Sequence, residues 1–422
     1  MNKILYCILS LIALLYIVNG YYAQAVTLFV VIGCFIRGKK QVYLYNPYYI
    51  LLATLISFLL YVPAWGGVFF PDLSNLTQFV ITFSFIALFL GISFGINQGY
   101  TPLIRVYENE SIWIMMILGL IQTVVVLVFF GNVLALSGDA LLDAKEGVDI
   151  PIIGQLAYFL PASIIIACKR NNSKQIIITI AISLLSALIT VTKTSILVSF
   201  FFIMVGFLRF KPNIIKSKVG YLAKKYVIIW LPILVLYMFS NNNSVRADAD
   251  GGEISYLERS GSQLSRDFQS TFAENMFLNY LYLSSPWGNL DYNIRNNHEK
   301  GYGANTFAQF GNRIGIQVDT VEKIQPTFLN THSFLTDYVI DFGAIGAIFA
   351  SFILGWFIAF CYRRYGCSND PIWLAFYGLI SFATFMLYFS NHFNNGYILN
   401  YFLSFGIYYL ISKNFSNAKQ QR

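Results

Sequence analysis

The chain has 422 residues, 57% of them hydrophobic and 11% charged, with a mean hydropathy of +0.60 and a net charge of +8. Soluble domains carry roughly 25% charged residues, so this composition excludes a soluble globular enzyme and points to a polytopic membrane protein. The excess of basic residues segregates to one side of the predicted spans, so it reports topology and gives no reason to expect a nucleic-acid partner.

A helix needs about 20 apolar residues to cross a bilayer. Runs of this kind predict twelve spans, at 4–19, 22–36, 48–66, 76–96, 112–131, 152–168, 175–191, 194–208, 226–240, 334–360, 372–390 and 397–412. The first follows "MNK" with no small-residue cleavage site, so it reads as a retained span. With the N-terminus inside, 19 of the 28 basic residues fall on the cytoplasmic side with only Glu108, Glu110 and Asp370 among the acids. Both termini are then cytoplasmic. Cys7, Cys34, Cys168, Cys361 and Cys367 all lie in spans or on the inner side, so no disulfide framework is expected.

The expected fold class is an all-α polytopic membrane protein of about twelve transmembrane helices, with a large extracytoplasmic loop between helices 9 and 10. Residues 1–240 carry spans one to nine, 241–333 form the outer loop, and 334–422 carry spans ten to twelve and a cytoplasmic tail. A structureless loop of that length is improbable, so 241–333 should fold as a cap. Within it, Ser265 to Leu283 places Phe268, Phe272, Met276, Phe277, Tyr280 and Leu281 on one helical face behind a Ser265 N-cap. "SSPWGNLDY" reads as a turn and "GYGANTFAQFGNR" as a glycine-rich loop returning to the membrane. A second outer loop, Asn132 to Pro151, is acidic.

Basic residues on the outer side run against the charge bias. Seven lie in the large loop: Arg246, Arg259, Arg266, Arg295, Lys300, Arg313 and Lys323. Singly, each suits a solvated surface; together, arginines above a membrane bundle suit a phosphate or pyrophosphate, which the guanidinium fork binds bidentately. Lys193 sits at the outer turn between two spans, in "TVTKTS". It either snorkels to the surface or binds an anion in an outward-facing cavity.

The stretch "NTHSFLTDYVIDFGAIGAIF" joins a polar segment to a membrane helix. Ser333, Asp337 and Asp341 recur at every fourth position, giving a polar stripe that needs a basic partner or a hydrated cavity. Gly343, Ala347 and Ser351 continue it as a small-residue seam for close helix packing. His332 opens the stripe and is a candidate base. "DADGGE" lacks the context of a metal loop, His298 and His392 have no metal-ligand spacing, and no P-loop or Gly-x-Ser-x-Gly is present.

The pattern of His332–Ser333, Asp341, Gly343 and Gly346 resembles the histidine, acid and Gly-x-x-Gly signature of O-antigen ligases and Wzy-type oligosaccharide repeat-unit polymerases. "TVTKTSIL" is similar to their helix start after a short outer turn, and "YLYLSSPWGNL" and "GYGANTFAQF" look like polymerase loop segments. The order of many spans, one late outer loop and then a histidine at the next helix is similar throughout. Lys193 stands where ligases carry arginine.

The resemblance implies a bundle like those of the GT-C lipid-carrier glycosyltransferases, in the bacterial inner membrane and without cofactor or metal. Its substrates would be undecaprenyl-diphosphate-linked oligosaccharides of an O-antigen, capsule or exopolysaccharide. Membrane lipid, a flippase and a chain-length regulator would be its partners. It implies His332 with Asp337 or Asp341 as the catalytic group, Lys193 with Arg246, Arg259, Arg266 and Arg313 at the pyrophosphate, and Tyr280 among the aromatics stacking on sugar. An O-antigen ligase and a flippase or secondary transporter are the competing readings. The late outer cap argues against the transporter, and "His-Ser" in place of the ligase "His-Asn" separates the chain from ligases.

Overall fold

The computed structural model describes residues 3–41, 45–61, 70–97, 112–130, 159–189, 193–212, 271–313, 315–324, 331–368, 370–394, 398 and 401. Every regular element among them is helical. In chain order these are α1 (Lys3–Val18), α2 (Tyr22–Lys39), α3 (Pro47–Leu59), α4 (Asn75–Asn97), α5 (Ile112–Phe130) and α6 (Phe159–Lys169). They continue as α7 (Ser173–Ile189), α8 (Lys193–Phe210), α9 (Thr271–Asn296), α10 (Ala304–Arg313), α11 (Phe334–Cys367) and α12 (Pro371–Phe385).

Ten of the predicted spans coincide with helices, while 226–240 and nearly all of 397–412 lie outside the described residues. Among the described residues, four helices are long and apolar enough to cross a membrane: Tyr22–Lys39, Asn75–Asn97, Phe334–Cys367 and Pro371–Tyr388. Shorter apolar helical stretches accompany them over the described residues. Pro47–Leu59 and Phe159–Lys169 have 13 and 11 residues, against the roughly 20 that a bilayer crossing requires.

The chain divides into two compact units. The first comprises 1–101, 257–363 and 383–398. Here α3 starts on a sound cap, Asn46 accepting from the Tyr49 N–H with Pro47 in the first turn. α4 and α11 approach backbone to backbone: a Cβ at Gly355 would lie 2.2 Å from the Leu88 carbonyl oxygen, and one at Gly91 2.2 Å from that of Phe352. Only glycine allows this, as close helix packing in membranes favours.

α9 packs against α3 and α4 in this unit. Trp287 is fully buried between Phe58 and Phe85, at ring separations of 5.2 and 5.5 Å, and its indole N–H donates to Ser57 Oγ at 3.0 Å. "SSPWGNLDY" is therefore helix and not a turn. Burial of Leu281, Trp287 and Leu290, with every residue from Ser284 to Asp291 buried, outweighs the local signal of Pro286 and Gly288. Asp291, also buried, accepts from the Ser74 N–H and the Thr77 hydroxyl at the start of α4 and pairs with Arg295 at 2.6 Å. The start of the predicted amphipathic helix, from Ser265 to Ser270, lies outside the described residues.

The second unit comprises 102–256, 364–382 and 399–422. α6 is buried along nearly its whole length, and α5 meets it at Gly119, where a Cβ would come within 2.7 Å of Leu160. The Arg209 guanidinium at the end of α8 donates to the Ser368 carbonyl at 3.0 Å, and Tyr365 stacks on Tyr377.

Candidate functional site

The polar stripe predicted on α11 is real and buried, and its members have different partners. Ser333, Asp337 and Asp341 are all nearly inaccessible, as is every residue from Thr331 to Asp341. Asp337 meets the Lys323 ammonium at 2.6 Å through Oδ1 and accepts from the Asn394 amide at 2.8 Å through Oδ2. The like-charged stripe thus finds the basic partner it required, from the loop.

Lys323 is delivered by an extended segment held by asparagines. Asn293 donates to the Ile324 carbonyl and accepts from its N–H, both at 2.9 Å. Asn305 makes the same two-way contact with Val321, at 3.1 and 2.9 Å. Asn297 donates to the Glu322 carbonyl at 2.9 Å. These amides act as a neighbouring strand would, satisfying the backbone of 321–324 and fixing where Lys323 points.

His332 lies at the start of α11. Its backbone N–H donates to the Phe389 carbonyl at 3.2 Å, and Asn289 holds the preceding Thr331 carbonyl at 2.7 Å. The imidazole is buried, yet neither ring nitrogen has a hydrogen-bond partner. Burial first, then the Lys323 charge, lowers its pKa from 6.5 to about 4, so the ring is neutral at pH 7. The Ser333 and Thr336 hydroxyls beside it in sequence are likewise buried without a partner. Buried polar groups are nearly always satisfied, and exceptions mark a functional group or a site for a ligand or water.

Asp341 has another duty. Its Oδ1 accepts from the Asn305 N–H at 3.0 Å and its Oδ2 from the Thr306 N–H at 2.6 Å. It caps α10 from outside the chain segment that α10 belongs to, placing a carboxylate at a helix N-terminus. "GYGANTFAQFGNR" is for this reason a turn followed by helix rather than an extended loop. The neighbouring Gly301 N–H donates to the Ile340 carbonyl at 3.1 Å. Two residues after Asp341, the helix breaks at Gly343, which has φ +70° and ψ −175°, a region that glycine alone adopts freely. Gly343 therefore interrupts the predicted small-residue seam, while Ala347 and Ser351 remain fully buried.

Asp341→Ala should cost about 1–2 kcal/mol of stability, the value of a good N-cap, with Asp341→Asn intermediate because an amide group replaces one of the two accepting oxygens and meets a backbone N–H donor with a donor. Melting of the purified protein in detergent checks this, and equal melting of all three would remove the capping role. Gly301→Ala should act in the same direction, since its Cβ would fall 2.2 Å from Asp341 Oδ1.

Of the remaining predicted residues, Tyr280 donates its hydroxyl to the Leu60 carbonyl at 2.6 Å and stacks on Phe70, so ring and hydroxyl are both engaged by protein. Arg313 ends α10 in the first unit, and Lys193 opens α8 in the second. Arg246, Arg259, Arg266 and the acidic loop at 132–151 lie outside the described residues. Among the described residues, no three His, Cys, Asp or Glu side chains group to hold a metal. A cleft of about 70 Å³ beside the Gly343 break, lined by Asn293, Lys300 and Ile340, suits water-sized groups and is too small for a saccharide.

Sequence reasoning placed Lys323 among the outer basic residues without a role and missed Asn394, Asn293 and Asn305. Their partners are up to 57 residues away in the chain, so no local pattern announces them. The chain matches no protein-family model, no curated protein and no solved structure.

Proposed function

We propose that the chain is a membrane glycosyltransferase that polymerises undecaprenyl-diphosphate-linked oligosaccharide repeat units on the outer face of the bacterial inner membrane. The observation that carries this reading is His332: a buried, neutral imidazole with both nitrogens unpartnered, at the mouth of a membrane helix and within the field of Lys323. A neutral imidazole can accept the proton of an acceptor sugar hydroxyl. The hydroxyl oxygen then attacks the anomeric carbon of the growing chain, whose bond to the diphosphate breaks. The chain passes to the new repeat unit, and undecaprenyl diphosphate leaves with the bonding electrons.

Lys323 supplies a cation at this site; Lys193, Arg246, Arg259, Arg266 and Arg313 remain the sequence candidates for stabilising the leaving group. Tyr280 is the candidate sugar-stacking residue. Asp337 holds Lys323, and Asp341 positions the loop.

The break in α11 is the observation that favours a transporter, because discontinuous membrane helices form substrate sites in many of them. Here the carbonyl just ahead of the break is bonded to Gly301, which ties the break to loop docking instead. A gene deletion distinguishes the classes when the glycans are displayed as a ladder. Loss of a polymerase leaves single-repeat glycolipid. Long chains left on the carrier would make it a ligase, and units left facing the cytoplasm a flippase.

A further inference from the structure

We propose that α10 is an interfacial anchor that lies in the bilayer surface with Phe307 and Phe310 inserted among the lipids. The inference does not rest on glycosyl transfer. Around the helix, Ala304, Ala308 and Gly311 form a small-residue side, with Ala308 and Gly311 buried against protein, while Asn305, Gln309 and Asn312 form a polar side. Between the two, Phe307 and Phe310 are 59% and 54% exposed, and Tyr302 just before the helix is 87% exposed. Large aromatics on an outward face of a polar loop are the residues that sit at membrane–water boundaries.

The level at which α10 sits is fixed by its cap. Asp341 holds its first turn, and burial along α11 changes at that residue. Everything from Thr331 to Asp341 is buried, whereas Phe342, Ile345 and Phe349 begin an exposed apolar stripe at helical spacing. That stripe lies on a helix long and apolar enough to cross a membrane. A Cβ on Gly303 would be 3.6 Å from the Phe342 ring, so the approach to α10 borders the top of the stripe. The aromatic face of α10 thus borders that exposed apolar stripe, and lipid is the occupant that fits both. Seven residues of helix rise put Phe334 about 10 Å beyond Asp341, which leaves His332 at the depth of headgroups and clear of the hydrocarbon.

The test uses full-length protein in phosphatidylethanolamine–phosphatidylglycerol nanodiscs, with the photoreactive residue benzoylphenylalanine at position 307, 310 or 309. Irradiation should give lipid-mass adducts at 307 and 310 in several-fold excess over 309. Chain-to-chain adducts dominating at 307 and 310 would make the face an interface between copies. Equal lipid labelling at all three positions, or none, would equally overturn the anchor. A nitroxide on Phe310→Cys, with Cys7 and Cys367 changed to serine, reads the same surface should the bulky label unfold the chain. Collisions with oxygen exceeding those with a soluble nickel chelate support insertion, and the reverse order overturns it.

Discussion

His332→Ala is expected to lower polymerisation by purified enzyme about 10²–10⁴-fold, the usual worth of a general base, without loss of protein from the membrane. Cells carrying it should show single-repeat glycolipid and no ladder. The pH dependence separates a base from a residue that merely fills space. His332 in the free enzyme has its pKa lowered to about 4, so the acid limb of kcat/KM should lie near pH 4 and not near the unperturbed 6.5. A bound diphosphate adds negative charge close to the ring, so the acid limb of kcat should move upward relative to that of kcat/KM. A wild-type rate in His332→Ala would end the assignment, and a kcat/KM limb at 6.5 would show that burial and Lys323 do not act on the ring as described.

The same shift has a consequence for folding. The folded-state pKa lies below the unfolded value, so above pH 6.5 protonation of His332 contributes no pH dependence. As pH falls from about 6.5 to about 4 the unfolded chain takes up a proton that the folded one refuses, and stability declines. His392, also buried and lowered to about 4, adds a decline of the same sign. His332→Gln should therefore flatten the acid side of a melting curve in detergent without abolishing it.

What the sequence made legible follows from which forces are local. Apolar runs are visible in the chain, so ten predicted spans fall on helices, and the polar stripe on α11 is visible because i,i+4 spacing is a property of one helix. The partners of the stripe were not visible. Asp341 repeats the spacing of Asp337, yet one caps a helix 36 residues away and the other takes a lysine from the loop. Similarly, Pro286 with Ser and Gly around it signals a turn, and burial of Trp287 against Phe58 and Phe85 decides for helix. The break at Gly343 is equally silent, because a glycine in an apolar helix more often marks close packing, as Gly91 and Gly355 do here.

Lys323→Met should destabilise the protein by about 3 kcal/mol, the low end of the cost of removing one member of a buried ion pair. The asymmetry between the partners drives this number. The Asp337 side chain is only 6% exposed, so without Lys323 it keeps, among the described residues, the hydrogen bond from Asn394 and has little access to water. Lys323 is 31% exposed, so losing Asp337 leaves an ammonium that can swing into solvent. Asp337→Asn should accordingly cost nearer 1 kcal/mol, about one hydrogen bond, and the Lys323→Met, Asp337→Asn double variant should recover most of the larger loss. Asn293→Ala, which frees the backbone of Ile324 beside Lys323, should move in the same direction as Lys323→Met. Removing Lys323 also takes away one of the two causes of the lowered His332 pKa. The acid limb of kcat/KM should then rise, a shift that lost stability alone would not produce. Equal, small losses for the two single variants, with the limb unmoved, would mean that Lys323 only decorates the surface.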